Sequence, residues 1–241
     1  MFTALLFLFT VIIGYLVGSV CSAVIVSRLF ALPDPCVEGS KNPGATNVMR
    51  LAGKKYALIV LVADMLKGLL PVLFAKMLGA DVIIQSFTCL AAVLGHMYPV
   101  FFKFKGGKGV ATTIGALLGL HFILGVVVIA TWLLVANFSR YSSLASLVAI
   151  LLAPFYSLFA LGDMNAFIPL LGIAVFVLYQ HRNNITRLID GTEPKIKFWQ
   201  KIAKKGLINE LNETETRPDA TDTETKSEPM PDKPDTKKNK P

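Results

Sequence analysis

Six runs of apolar residues dominate the chain, at about 2–30, 56–79, 82–102, 110–138, 143–161 and 165–180, with short polar segments between them. A helix rises 1.5 Å per residue, so roughly 20 apolar residues cross a hydrocarbon core of about 30 Å. Each run reads as a membrane helix, and the fold class as an all-α, polytopic membrane protein. The run 110–138 is too long for one crossing, because as a single helix it would measure about 43 Å. Gly119, His121 and Gly125 stand near its middle, where a turn divides it in two. Seven membrane helices result. The alternative is five, with 165–180 or another run lying in the interface.

The polar interruptions set the sidedness. Residues 31–55 hold Lys41, Arg50, Lys54 and Lys55, and residues 103–109 hold Lys103, Lys105 and Lys108. The segment after 180 holds Arg182, Arg187, Lys195 and more. The connections near 77–81 and 162–165 are nearly free of basic residues. Lysine and arginine gather in cytoplasmic loops, which places the N-terminus outside, the C-terminus in the cytoplasm and the three basic segments on one face. The number of crossings is then odd.

Composition agrees. The chain is 54% apolar and 17% charged, with a mean hydropathy of +0.58. That excludes a soluble enzyme, a disordered protein and a β-barrel. From about 206 apolar residues almost vanish, and Glu213–Pro241 carries 8 acidic and 6 basic residues. A segment of that kind cannot offset its ordering entropy, so 1–205 is read as the membrane domain and 206–241 as a disordered cytoplasmic tail. The net charge of +8 does not point to nucleic acid, because the basic residues sit in membrane loops. Cys21, Cys36 and Cys89 are scattered, and no Cys/His cluster occurs, so neither a disulfide framework nor a metal site is expected. The first run has no basic residue before it, as a signal peptide would, and reads as a retained span.

The candidate chemistry lies in the polar segments. Gly39-Ser40-Lys41-Asn42-Pro43-Gly44-Ala45-Thr46-Asn47 offers small residues, side-chain donors and backbone N–H groups, with Arg50 beyond. A helix starting near Ala45 would favour an anion at its N-terminus. A phosphate cradle and a plain Gly/Asn turn both fit this segment. Lys105-Gly106-Gly107-Lys108-Gly109 is a second candidate cradle, or else a basic anchoring loop; it lacks the spacing of a nucleotide P-loop. His181 and Asn184 share a helical face at i and i+3, and Arg187 continues it. Ser142 and Ser143 read most simply as helix N-caps. His96 reads as structural, His121 as a turn residue, and Asp64 and Lys67 as a buried neutralising pair or a functional one. Nothing suggests a Ser-His-Asp triad, because Asp190 is the only acidic residue close to His181 in the sequence considered for that role.

The motifs GSKNPGATNVMR, GHMYPVFFKFKGGKGVAT, YSSL and HRNNITRL occur in that order between about Tyr15 and Glu193. Together they resemble the bacterial acyl-phosphate:glycerol-3-phosphate acyltransferase family. The resemblance implies an enzyme of the cell inner membrane with a cytoplasmic active site. It would move a fatty acyl group from acyl phosphate to the 1-hydroxyl of glycerol 3-phosphate, as a monomer and without a cofactor or metal. It implies catalytic roles for Ser40, Lys108, His181 and Asn184. Substrate binding would fall to Asn42, Gly44, Thr46, Arg50, Gly106, Gly107, Ser142 and Ser143. Two positions depart from the family: Cys36 stands where a basic residue is usual, and Lys41 where a glycine is usual.

The chemistry suits these residues. Both substrates carry phosphate and need a cationic, N–H-rich pocket, while the acyl chain needs access from lipid. An acyl phosphate is already activated, so the demands are positioning, oxyanion stabilisation and a proton acceptor. His181 or the substrate's own phosphate takes the proton, and the lack of an evident carboxylate to orient His181 favours the substrate. A channel or transporter for phosphorylated solutes would use similar loops but would also need a polar path through the spans.

Overall fold

The computed structural model of the chain describes residues 1–196, and every regular element among them is helical. The expected tail, and the expected end of the membrane domain at 205, lie outside the described residues. Helices α1 (Phe2–Gly18) and α2 (Ser22–Leu29) share the first apolar run, and α3 (Ala45–Ala52) lies within the first polar segment. Then come α4 (Lys54–Met77), α5 (Val82–Met97), a single 3₁₀ turn (Val100–Phe102), α6 (Val110–Leu120) and α7 (Phe122–Ser139). α8 (Ser142–Leu161), α9 (Phe167–Gln180) and α10 (Arg182–Ile189) complete the described order.

Five segments are long and apolar enough to cross a membrane: Phe2–Leu29, Lys54–Met77, Val82–Phe102, Phe122–Ser139 and Ser142–Leu161. α6 and α9 are apolar but shorter, at 11 and 14 residues. The division expected within 110–138 falls at His121, whose extended backbone (φ −154°, ψ 119°) ends α6 and caps α7. The first run is not one helix as read from its hydrophobicity, because it breaks at Ser19–Cys21. A break inside an apolar span strips carbonyls of their helical partners, and each needs another donor. Lys67 Nζ supplies one, donating to the Val20 carbonyl at 2.7 Å. The same ammonium lies 2.9 Å from Asp64, so the expected Asp64–Lys67 pair forms and also braces the break. Lys54 and Lys55 belong to the first turn of α4 rather than to the loop before it.

Small residues let the helices approach closely, as membrane helices require where no hydrophobic effect drives them together. A methyl on Gly115 of α6 would stand 1.9 Å from the Met65 carbonyl of α4, and one on Gly68 would stand 2.1 Å from that of Thr112. The apolar core gathers Val93, Leu117, Ile150 and Ile173 from α5, α6, α8 and α9. Large apolar side chains such as Leu133, Phe155 and Phe159 face outward, the surface a lipid environment would cover.

Candidate active site

Lys108 closes the glycine loop just before α6. The loop folds tightly against the end of α5. The Gly107 N–H donates to the His96 carbonyl at 3.1 Å, and a methyl on Gly106 would stand 2.0 Å from that same oxygen. Only glycine fits where another backbone comes so near. One of the loop's N–H groups is thereby committed to the fold. Those of Gly106, Lys108 and Gly109 have no backbone acceptor among the described residues.

The Lys108 ammonium donates to Oδ1 of Asn184, and Asn184 Nδ2 donates to Glu193 Oε1 at 2.7 Å. Glu193 Oε2 accepts from Arg187 Nε at 2.8 Å. The His181–Asn184–Arg187 spacing thus does bring Asn184 and Arg187 to one face of α10, where a single carboxylate holds both. Burial would raise the Glu193 pKa, but the Ser143, Asn184 and Arg187 side chains outweigh it and hold the carboxyl below its ordinary range. The buried Ser143 hydroxyl lies beside this carboxylate without a well-formed hydrogen bond. The chain after α10 is tied back to the start of α8, with the Ile196 N–H donating to the Arg140 carbonyl at 2.8 Å.

His181 caps α10 and is 3% exposed. Its Nδ1 lies 2.8 Å from the Val177 carbonyl, which can only accept, so the neutral ring carries its proton on Nδ1 and leaves Nε2 free. Burial first, and then the Lys108 charge, push the imidazole pKa down to about 4. Burial likewise lowers the Lys108 ammonium to about 8; Glu193 opposes this shift, and Arg187 and Arg50 add to it. Arg50, in the last turn of α3, therefore shares the site's field.

The first loop is organised by Asn47. Its Oδ1 accepts from the Ser40 N–H at 2.9 Å, and its Nδ2 donates to the carbonyls of Pro35 and Glu38 at 3.1 and 3.0 Å. Gly44 caps α3, and its carbonyl accepts from Asn47 and Val48, so a helix does begin at Ala45. Pro43 reaches the glycine loop, with its carbonyl 3.1 Å from where a Gly107 methyl would sit. Ser40 and Thr46 are exposed and Asn42 is half-buried. Among the described residues, no hydrogen bond joins these three to Lys108 or His181. A cavity of about 280 Å³ opens between the two loops, lined by Cys36, Lys41, Lys105, Gly106 and Gln180 among others. Ser142 and Ser143 are not N-caps, since Tyr141 holds that place and α8 starts at Ser142.

The sequence does not reveal Glu193, nor that Asn47 of the first candidate cradle is the residue that organises that loop. Glu193 lies near His181 and acts on the ring through its charge, but the ring's Nδ1 is held by the Val177 carbonyl and not by an acid. Among the described residues no group of three or more His, Cys, Asp and Glu side chains could hold a metal ion.

The fold and the site together define a polytopic membrane protein in which a half-buried lysine, an asparagine and a histidine meet at a glycine loop. The chain matches the glycerol-3-phosphate acyltransferase family over residues 8–191 and belongs to it. It is 63% identical to the glycerol-3-phosphate acyltransferase of Legionella pneumophila (strain Corby) over 208 residues, covering 86% of this chain and 73% of the relative. It is 48% identical to that of Coxiella burnetii (strain RSA 493 / Nine Mile phase I) over 192 residues, covering 80% and 99%. Its fold is similar to crystal structures of PlsY, an integral membrane glycerol 3-phosphate acyltransferase. The glycerol 3-phosphate form gives a TM-score of 0.76 at 41% identity, covering 81% of this chain and 98% of that one. The lysophosphatidic acid form gives 0.73 at 42%, covering 79% and 95%.

Proposed function

We propose that the chain transfers a fatty acyl group from acyl phosphate to the 1-hydroxyl of glycerol 3-phosphate. The products are 1-acylglycerol 3-phosphate (lysophosphatidate) and inorganic phosphate, and the step commits the glycerol backbone to phospholipid synthesis. The observation that carries this reading is the half-buried Lys108 ammonium, fixed by Asn184 beside a neutral His181, on a loop whose glycines leave no room for a side chain.

In this scheme the Lys108 ammonium and the free N–H groups of the glycine loop hold the acyl-phosphate head group, with Ser40 and Asn42 approaching from the first loop. Arg50, Ser142, Ser143, His181 and Asn184 orient glycerol 3-phosphate. The 1-hydroxyl oxygen attacks the acyl carbonyl carbon and forms the ester bond. The bond from that carbon to the phosphate oxygen breaks, and phosphate leaves with the electron pair. The hydroxyl proton passes to a phosphate oxygen. An imidazole with a pKa near 4 is a poor final base at neutral pH, so His181 Nε2 serves to accept a hydrogen bond from the hydroxyl and aim it, while the proton itself goes to phosphate. Lys41 lines the same cavity as Cys36 and supplies a cation on the side where Cys36 offers none. Burial and the nearby Asp34 raise the Cys36 thiol to about 11, which keeps it neutral.

We place the chain in the cell inner membrane with seven crossings, the N-terminus outside and the site on the cytoplasmic face. The break at His121 and the clustering of the basic segments support that arrangement. The donor is tested by giving the purified chain glycerol 3-phosphate with palmitoyl phosphate, palmitoyl-CoA or palmitoyl-acyl carrier protein. Product from palmitoyl phosphate alone is expected. Product from either thioester alone would overturn the donor assignment.

A further inference from the structure

The reaction above makes no use of the ionisable group buried between α4 and α5. Asp64 Oδ1 lies 2.9 Å from Lys67 Nζ and 3.6 Å from Nδ1 of His96, and all three side chains are nearly inaccessible. At 3.6 Å the carboxylate acts on the ring through its charge and favours the tautomer with the proton on Nδ1. The opposite edge of the ring meets the glycine loop: a methyl on Gly107 would stand 2.2 Å from His96 Nε2. The His96 carbonyl accepts the Gly107 N–H at 3.1 Å, and it is also the atom that excludes a side chain at Gly106. His96 is therefore set by α4 on one side and pressed into the loop on the other, immediately before Lys108.

Neutralising Asp64 would need Lys67 alone. A buried ion pair is often replaceable by apolar residues without loss of stability, so its presence calls for another reason. The contacts of His96 provide one. Lys108 follows Gly107 directly, so any shift of Gly107 displaces the ammonium and the adjoining N–H groups, and a displacement of about 1 Å in a catalytic group can lower a rate by about 100-fold.

We propose that His96 is a positioning residue for the anion-binding loop, oriented by the Asp64–Lys67 pair so that its Nε2 edge fixes Gly107 and thereby the reach of Lys108 toward Asn184. His96 is thus more than the structural histidine its place before Pro99 suggests. The proposal deepens the acyltransferase reading and rests on it for its kinetic consequence, while its structural consequence can be measured without substrate.

The test compares the wild type with His96→Asn, which keeps a donor near the Nδ1 position but withdraws the Nε2 edge. A second variant, Asp64→Leu with Lys67→Met, removes both charges together and leaves none unpaired. Each is purified in detergent. Its melting temperature, its kcat and KM for both substrates, and hydrogen exchange of the amides at 106–109 are measured. The expected result is a fall in kcat/KM of about 10- to 100-fold, with faster exchange at 106–109; His96→Asn melts close to the wild type, while the paired variant melts lower because Lys67→Met also removes the donor to the Val20 carbonyl. Kinetics within twofold of the wild type and unchanged loop exchange would overturn the proposal, as would a lower melting temperature with both of those unchanged. If the paired variant does not fold, His96→Asn decides by the same readouts. If the wild type turns over neither substrate, the acyltransferase reading fails, and exchange at 106–109 alone decides the role of His96.

Discussion

The Lys108 ammonium donates to Oδ1 of Asn184, which joins the end of the glycine loop to the first turn of α10 across 76 residues of sequence. Asn184 in turn donates to Glu193, so its amide cannot rotate without losing both partners. The ammonium is thereby aimed before any substrate arrives, so little reorganisation is needed when charge develops beside it. Replacing Lys108 by Ala should lower kcat/KM by about 100- to 1,000-fold, with the protein still folded. Lys108→Arg should recover only part of that loss, because a planar guanidinium does not fit the point contact with Asn184. Initial rates of phosphate release, with melting curves alongside, check both.

The pH dependence follows from the same residues. The Lys108 pKa is lowered to about 8, so its charge is complete below that value and is lost as pH rises through it. His181 is held near 4, so its Nε2 is available above that value. kcat/KM, which reports the free enzyme, should therefore fall on the alkaline side near pH 8 rather than near the ordinary lysine value. In Lys108→Arg that alkaline limb should disappear. A wild-type profile flat to pH 10 would contradict the assignment of Lys108 as the substrate-binding cation.

Lys41 adopts a left-handed backbone, with φ +55°, a conformation that glycine takes freely and a lysine only with strain. Its side chain lines the cavity between the loops. Lys41→Gly should relieve about 1 kcal/mol of strain and raise the melting temperature slightly, yet raise KM for acyl phosphate several-fold by removing a cation. Lys41→Ala should raise KM without the gain in stability. Adding Cys36→Arg to Lys41→Gly should bring KM back toward the wild-type value, because both side chains line one cavity. Steady-state kinetics and thermal melts separate the two effects.

Glu193 holds Asn184 and Arg187 at once. Glu193→Gln retains an acceptor for Asn184 but loses the charge opposite Arg187. It should lower stability by about 1–2 kcal/mol and activity by less than Lys108→Ala does. Glu193→Ala, which leaves the buried Asn184 amide without its partner, should lower both further. Denaturation and activity measured on the same preparations would check the order.

Much of this site is legible in the sequence because its motifs are local. The glycine loop, the helix start at Ala45 and the His181–Asn184 spacing each depend on neighbouring residues, and the structure brings Lys108, His181, Asn184 and Ser143 into one neighbourhood. The break at His121 is legible too, since excess length signals it. Glu193 is not, because it lies in a polar stretch with no periodicity and reaches the site only when the chain folds back to Arg140. The break at Ser19–Cys21 is hidden for a different reason: the hydrophobic run continues through it unchanged. Its backbone is satisfied by Lys67, 47 residues away. Asn47 reads as one more polar loop residue until its three backbone contacts are seen.

The central claim is that Lys108 and His181 serve one transfer from acyl phosphate to glycerol 3-phosphate. The most direct test supplies the purified chain, in lipid mesophase and without metal or coenzyme A, with palmitoyl phosphate and glycerol 3-phosphate, and follows phosphate and lysophosphatidate together. The account predicts equal amounts of both, lost in Lys108→Ala and sharply reduced in His181→Ala while both variants still melt cooperatively. Phosphate release without lysophosphatidate, or full activity in Lys108→Ala, would contradict it.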